Sequence, residues 1–186
     1  MIIGESIYLR PPFLADYEAW AALRTGSRDF VSPYESEFGE PSPEAFTRNL
    51  VRWHDELAHD RAYSLFAFRK RDDALFGFLS FQGVRRGGAQ SAVVEGWIGR
   101  EFAGSGLAYH ATVAGLRWAL GPIGLHRVEA STLPSNAPSQ RLLKACGFSY
   151  EGDARSYGKV NDVWRDHTLW AIVAGDQIGY ARRGHG

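Results

Sequence analysis

"REFAGSGLAYHATVAGLRWAL", residues 100–120, is the stretch on which the reading of this chain turns. Gly104 and Gly106 flank Ser105, and from Leu107 onward Leu107, Ala111, Ala114 and Trp118 recur at helical spacing. The run before it, "SAVVEGWIG" (91–99), opens with β-branched and apolar residues and predicts a strand. A strand, a glycine turn and a helix N-terminus make an anion site, because unpaired backbone N–H groups and the helix dipole converge on one spot. A turn that merely starts a helix has the same letters, so the neighbouring sequence must say what this one holds.

Two familiar phosphate loops fail against the letters. A Walker loop needs Lys followed by Ser or Thr after its last glycine, where this chain has Leu107 and Ala108. A dinucleotide fingerprint needs a third glycine where Tyr109 stands, and an acidic residue closing the next strand. Glu129 sits inside "RVEAS" rather than after it.

Outward from the turn, the pattern alternates strands and helices. Upstream, "SIYLRP" reads as a strand closed by prolines, and Leu14, Tyr17, Ala21 and Leu23 mark a first helix. The stretch "TGSRDFVSPYESEFGEPSP" (25–43) reads as a loop. Its Phe30, Val31, Tyr34 and Phe38 either fold back on the core or line a pocket. A second helix starts at Ser42 and Pro43 and carries Phe46, Leu50, Trp53 and Leu57. "AYSLFAFRK" and "ALFGFLSFQGV", joined by a charged turn, predict a hairpin. Downstream come a strand "HRVEASTL", a short helix capped by Asn136 and stopped at Gly147, and a final hairpin turning near Asn161 and Asp162. No repeat or linker divides the chain, so residues 1–178 are expected to form one domain and 179–186 a disordered tail.

Composition narrows the partners. The 186 residues are 45% hydrophobic, enough for a packed core, and 21 basic residues balance 21 acidic ones, so nothing in the total favours direct nucleic acid binding. A lone cysteine, Cys146, excludes an internal disulfide framework and any multi-thiolate metal site, and fits a reducing cytoplasm. His54 and His59 are five apart and do not stack on one helix face, so no metal is expected. No run reaches the ~18 apolar residues of a membrane span, and "MIIGESIYLRPP" lacks the order of a signal peptide.

The order of elements, with "AGSGLA" (103–108) at its centre, resembles the GNAT acyltransferase superfamily, whose motif reads R/Q-x-x-G-x-G/A. Gly106 and Ala108 match that motif, and Ala103 departs from its Arg or Gln. "LHRVEA", "NAPSQRLLKACGF", "YEGDARSY" and "WRDH" are similar to the RimJ/RimL branch of ribosomal-protein alanine N-acetyltransferases and lean towards RimJ through "VWRDH". "RDFVSPYES" resembles that branch's substrate-side loop. The likeness runs from about Ile7 to about Ala174. A further departure is Glu95-Gly96, where relatives commonly have Gly-Tyr.

The resemblance implies an α+β, GNAT-type fold: a central mixed, strongly twisted sheet of about seven strands with helices on both faces. It implies acetyl-CoA as co-substrate, no metal, and an amine acceptor, the N-terminus of a protein or peptide such as a ribosomal protein, in a monomer or homodimer. The turn Ala103, Gly104, Ser105, Gly106, Leu107 and Ala108 would hold the pyrophosphate, with Trp97, Ile98, Gly99 and Arg100 leading the pantetheine arm along the strand. A backbone N–H near Ile98 would polarise the thioester. Asn136 would bond the arm and Ser139 stabilise the thiolate, although the same two residues read equally as a helix cap. Glu95 reads as the base or as a solvated carboxylate, with Tyr157, Asp153 and Asp166 as nearby alternatives and Arg165–Asp166 as a structural pair. The hairpin acid of some relatives aligns with Gly158, so that role does not carry over. Phe30, Tyr34 and Tyr157 are the expected acceptor walls, and Trp53 lines the same pocket or belongs to the core. Two other functions fit the same turn: a small-amine acetyltransferase of this fold, and a non-catalytic acyl-CoA sensor.

Overall fold

The computed structural model describes residues 1–35 and 39–179, so Phe38 and the tail from 180 lie outside the described residues. Strands β1 (Ile2–Ile3) and β2 (Ile7–Arg10) lead through a 3-10 turn into α1 (Tyr17–Gly26). Part of the stretch read as a loop is helical: α2 (Arg28–Val31) and a 3-10 turn at Ser32–Tyr34. These pieces are about one turn long, too short for a hydrophobic pattern to repeat, which is why periodicity misses them. Next come α3 (Pro43–Ala58), β3 (Tyr63–Arg69), β4 (Ala74–Arg85), β5 (Ser91–Ile98) and α4 (Leu107–Leu120). The chain continues through β6 (Arg127–Thr132), α5 (Ala137–Cys146), β7 (Ser149–Val160) and β8 (Val163–Val173).

Local chemistry sets these boundaries. Ser42 Oγ accepts from the Ala45 N–H at 3.1 Å and Pro43 opens α3, satisfying a donor that the helix itself leaves unpaired. Gly147 ends α5 at φ 102°, where a β-carbon would also run into the Gln177 carbonyl. Asn161 and Asp162 turn the last hairpin with φ of 49° and 60°, as a two-residue connection between twisted strands requires.

Among the described residues the strands form one sheet in the order β1-β2-β3-β4-β5-β6-β8-β7, with β5 and β6 the single parallel neighbours. It has eight strands against an expected count of about seven; the additional one is β1, two residues long and too short to leave a pattern. Side-chain alternation gives the sheet two faces. On one, α3 sets Trp53 against Phe66 and Phe78, and α1 sets Trp20 against Phe46. On the other, α4 packs Trp118 against Tyr63 and Phe81, with Gly115 so close that a β-carbon would meet Leu79 at 2.5 Å. Phe46, Phe66, Phe76 and Phe81 are fully buried, and this aromatic core fixes β4 and β5, from which the site hangs. Trp53 is therefore a core residue.

Candidate functional site

The glycine turn is open in front. Gly104 and Gly106 have φ of 74° and 81°, and a β-carbon at either would find no atom within 4 Å. Glycine is thus demanded by backbone conformation and not by crowding, and the turn presents bare backbone to the space before α4. Gly106 is the N-cap of α4 and brings no capping side chain. Ser105 Oγ lies 3.4 Å from the Leu107 N–H and donates to the Phe102 carbonyl at 2.5 Å. An exposed, uncapped helix start with two left-handed glycines fits a phosphate held by N–H groups, and Ala103, exposed in the turn, takes no donor away. From behind, Ser27 Oγ accepts from the Arg100 N–H at 3.0 Å, and a β-carbon on Gly99 would run into Leu23, so α1 braces the turn.

The strand leading into the turn is half unpaired. β5 pairs with β6 only from Ser91–Arg127 to Val93–Glu129, while β6 continues along β8 as far as Thr132–Thr168. Beyond Val93 the parallel strands part, and residues 94–98 pair with β4 alone. The Gly99 N–H donates to the Phe76 carbonyl at 2.8 Å, towards β4, so alternation turns the backbone groups of Ile98 and Gly96 to the open edge. An extended ligand can add there as a strand. The departure Glu95-Gly96 has a steric account. A β-carbon on Gly96 would come within 2.7 Å of the Phe78 carbonyl, and one on Gly77 within 2.5 Å of the Trp97 carbonyl. The β4 and β5 backbones approach too closely there for a larger residue.

Glu95 stands on this parted segment. Solvent reaches it, yet protein surrounds it, and the partial loss of hydration raises its carboxyl above the ordinary carboxylate value. Among the other carboxylates weighed from sequence, Glu129 is engaged by Arg85 and Arg127 at 3.0 and 2.8 Å. Asp166 Oδ1 accepts from the Ser156 N–H at 2.8 Å rather than pairing with Arg165, because consecutive strand residues point to opposite faces. Cys146 is fully buried, and burial pushes its thiol up to about 12, which makes it a packing residue.

Beyond the end of β6, Asn136, Ser139 and a cleft come together. Asn136 is buried, and its Oδ1 accepts from the Ser139 N–H at 3.2 Å, so the predicted cap is formed. Just before it, Leu133, Pro134 and Ser135 line one wall of a cleft of about 600 Å³. Pro33 lines a second wall, and Val160, Asn161, Trp164, Arg165 and Asp166 of the last hairpin line the third.

The expected walls Phe30, Tyr34 and Tyr157 do not line this cleft. Tyr34 is exposed beside Pro33, and Tyr157 is exposed on β7 with its ring 5.5 Å from that of His167. The aromatic wall is Trp164, which the letters "VWRDH" carry without marking it as a wall. The cleft is also strapped shut at one side. The Asn161 N–H and side-chain amide reach the carbonyls of Glu35 and Ser32, each at 3.4 Å. Arg24 holds Glu35 by a two-pronged pair of 2.7 and 2.8 Å, while its guanidinium lies 5.0 Å over the Trp97 ring. Asn161 is legible as a turn residue, but no local pattern announces its bonds to residues 32–35 or the pairing of Arg24 with Glu35, because three separate segments supply this strap.

Comparison with known proteins agrees with this geometry. The family described as "Acetyltransferase (GNAT) domain" matches residues 6–149. The chain is 31% identical over 178 residues to the probable N-acetyltransferase YjcK of Bacillus subtilis, covering 95% of this chain and 98% of that one. It is 28% identical to the [ribosomal protein uS5]-alanine N-acetyltransferase of Escherichia coli over 87% of this chain and 85% of that protein. Among solved structures, Mycobacterium smegmatis RimJ in complex with CoA-disulfide superposes with a TM-score of 0.86 at 29% identity, covering 90% of this chain and 82% of the other. The chain belongs to the GNAT acetyltransferase family and is an acetyl-CoA-dependent N-acetyltransferase.

Proposed function

We propose that this protein acetylates the N-terminal α-amine of a protein or peptide beginning with Ala or Ser, a ribosomal protein being the class suggested by the uS5-specific relative. The observation that carries this reading is the placement of Glu95, a partly desolvated carboxylate on the parted segment of β5.

Acetyl-CoA, when bound, supplies the thioester whose acetyl group is transferred. The N–H groups that the turn 103–108 leaves unpaired would hold its pyrophosphate, and the open edge at Gly96 and Ile98 would take the pantetheine arm as an added strand. The Ile98 N–H polarises the thioester carbonyl. Asn136 keeps its amide nitrogen for the arm while its oxygen caps α5, and Ser139 Oγ stabilises the departing sulfur. Glu95 takes the proton from the attacking amine, and its raised proton affinity makes it a stronger base than an ordinary carboxylate.

An α-amine suits such a site, because it titrates near ~8 against ~10.4 for lysine and is easier to deprotonate by about 3 kcal/mol. The cleft favours a peptide over a polycation: among the described residues Asp166 is the single carboxylate lining it, and that group already accepts a backbone N–H. The test is turnover of a peptide carrying both an N-terminal Ala and an internal Lys, with the acetyl group located by mass spectrometry. Acetyl on the α-amine is the expected result. Modification mainly on lysine, or turnover with small polyamines alone, would overturn the acceptor assignment.

A further inference from the structure

Four buried side-chain oxygens find no protein partner among the described residues: Glu56 Oε2 and the hydroxyls of Ser64, Ser80 and Ser91. Native interiors rarely leave such groups unsatisfied, so each asks for an explanation. Three of the four share one place. Ser64 stands opposite Ser80, and Ser80 stands opposite Glu95. Residues directly opposite on neighbouring strands send their side chains to the same face, so Ser64, Ser80 and Glu95 form a polar row across β3, β4 and β5. Ser80 is 0% exposed and Ser64 4%, whereas Glu95 at the end of the row reaches solvent.

The helix above supplies the other end. Trp53 of α3 lies 5.9 Å from Phe66 and 5.5 Å from Phe78, the residues two positions along from Ser64 and Ser80 on the same face. The link 59–62 folds the chain back under the end of α3, where the Arg61 and Ala62 N–H groups donate to the Glu56 carbonyl at 2.8 and 3.4 Å, so β3 begins beside Glu56. Glu56, three residues after Trp53 and on the same side of the helix, is thus placed at the Ser64 end of the face on which the row stands. It is half-buried, with Oε2 inside. Ser91 sits at the far end of β5 and stays outside the row.

We propose that Ser80 and Ser64 carry a proton path from Glu95 to Glu56, by which the proton taken from the amine leaves beneath α3 and not through the acceptor cleft. The proposal rests on Glu95 being the base. Adjacent strands are about 4.8 Å apart and a hydroxyl hydrogen bond spans about 2.8 Å, so bridging water completes the row. The balance is simple: the amine gives one proton to Glu95, each hydroxyl or water accepts one and releases one, and Glu56 passes one to bulk solvent. Glu95 returns to its carboxylate form, and nothing is oxidised or consumed. The hydroxyls act through Glu95 and are positioning residues.

The experiment compares Glu95→Gln, Ser80→Ala, Ser64→Ala and Glu56→Gln, using acetyl-CoA and an Ala-initiated peptide as probes, with the Glu95 carboxyl titration followed by ¹³C NMR. Ser80→Ala and Glu56→Gln should each lower kcat about tenfold, with acetyl-CoA affinity unchanged, and Ser64→Ala should follow in the same direction. Ser80→Ala should also raise the Glu95 titration, because a hydroxyl donor stabilises the carboxylate; a purely structural role would leave that signal where it is. The NMR arm needs no acceptor, and removing an unpaired hydroxyl leaves the fold intact. Wild-type kcat together with an unmoved titration in Ser80→Ala would overturn the path even where Glu95→Gln is inactive. A fully active Glu95→Gln would overturn the base assignment and the path together.

Discussion

The glycine turn before α4 and the cleft beyond β6 are assembled in opposite ways. The turn is backbone: two glycines with positive φ, a helix start without a side-chain cap, and a strand edge left open where β5 and β6 part. The cleft is side chain: Pro33, Trp164 and the link 133–135 come from separate parts of the chain, and Arg24, Glu35 and Asn161 tie the first two of these to α1. A site made of backbone needs particular residues in consecutive order, so it writes a short motif. A site made by tertiary convergence can change every wall and keep its fold, which suits an acceptor pocket whose substrate differs between relatives.

Glu95 joins the two halves, and replacing it should have the largest effect. Glu95→Gln is expected to lower kcat by about 10²–10⁴ with the acetyl-CoA Kd unchanged, as measured by steady-state kinetics and calorimetry. Stability should move the other way. Burial raises the Glu95 carboxyl, so the native state binds its proton more tightly than the unfolded chain does. Stability is then lost as pH rises from the ordinary carboxylate value through the raised one, and the neutral Gln removes that loss at pH 7. Activity should show the mirror image, falling in acid as Glu95 protonates. A variant both inactive and less stable would point to a structural carboxylate.

Next in size is Gly106→Glu, which tests the backbone half alone. Acetyl-CoA at ~100 times its Kd should stabilise the native protein by ~2.7 kcal/mol, seen as a rise in Tm. The variant should lose that rise, because glutamate is strained at φ 81° and projects charge into the space in front of the turn. Since no atom lies within 4 Å of the added β-carbon, stability without ligand should fall by the backbone cost of the left-handed conformation alone, about 1–2 kcal/mol. A retained ligand shift would separate the turn from the cofactor.

These two predictions fall where the sequence is most readable. The helices at Ser42 and Asn136 announce themselves through capping residues, and the hairpins through alternation and turn letters. Gly104 and Gly106 are legible because conformation demands them. Gly96 was legible only as an oddity; its cause, the Phe78 carbonyl of the neighbouring strand, lies 18 positions away in the chain. β1 and α2 are too short to carry a period. The lining of the cleft is illegible for a related reason. Aromatic letters such as Phe30, Tyr34 and Tyr157 say nothing of which way a side chain turns, and the aromatic residue that lines the cleft is Trp164.

The strap gives the third prediction. Glu35→Ala removes a two-pronged partner of a buried guanidinium and frees the segment that carries Pro33, at a cost of about 1–3 kcal/mol in stability. The peptide KM should rise by about tenfold while the acetyl-CoA Kd stays put, because the glycine turn does not touch Glu35. Arg24 also lies over Trp97 on β5, so Arg24→Ala should disturb both ligands. Equal effects of the two substitutions on both ligands would mean that the halves of the site are not separable.

The smallest effect belongs to the cleft wall itself. Trp164 is 59% exposed, with Lys159 beside its ring at 5.8 Å, so little of the fold depends on it. A large aromatic left in water at the rim of a cleft has apolar area to offer a bound peptide, and covering part of it contributes about 1 kcal/mol. Trp164→Ala should therefore raise the peptide KM by about fivefold, leave kcat within a factor of two, and shift Tm by less than about 2 °C. Trp164→Phe should keep most of the affinity, since it retains an aromatic face. The discriminating measurement is the KM for a series of Ala-initiated peptides that differ at the second and third residues. If Trp164 contacts the acceptor, the loss should be greatest for peptides with an apolar residue at one of those positions, and should vanish for a dipeptide too short to reach the hairpin. A uniform loss across the series, or none, would remove Trp164 from the acceptor site and leave the cofactor half of the comparison as it stands.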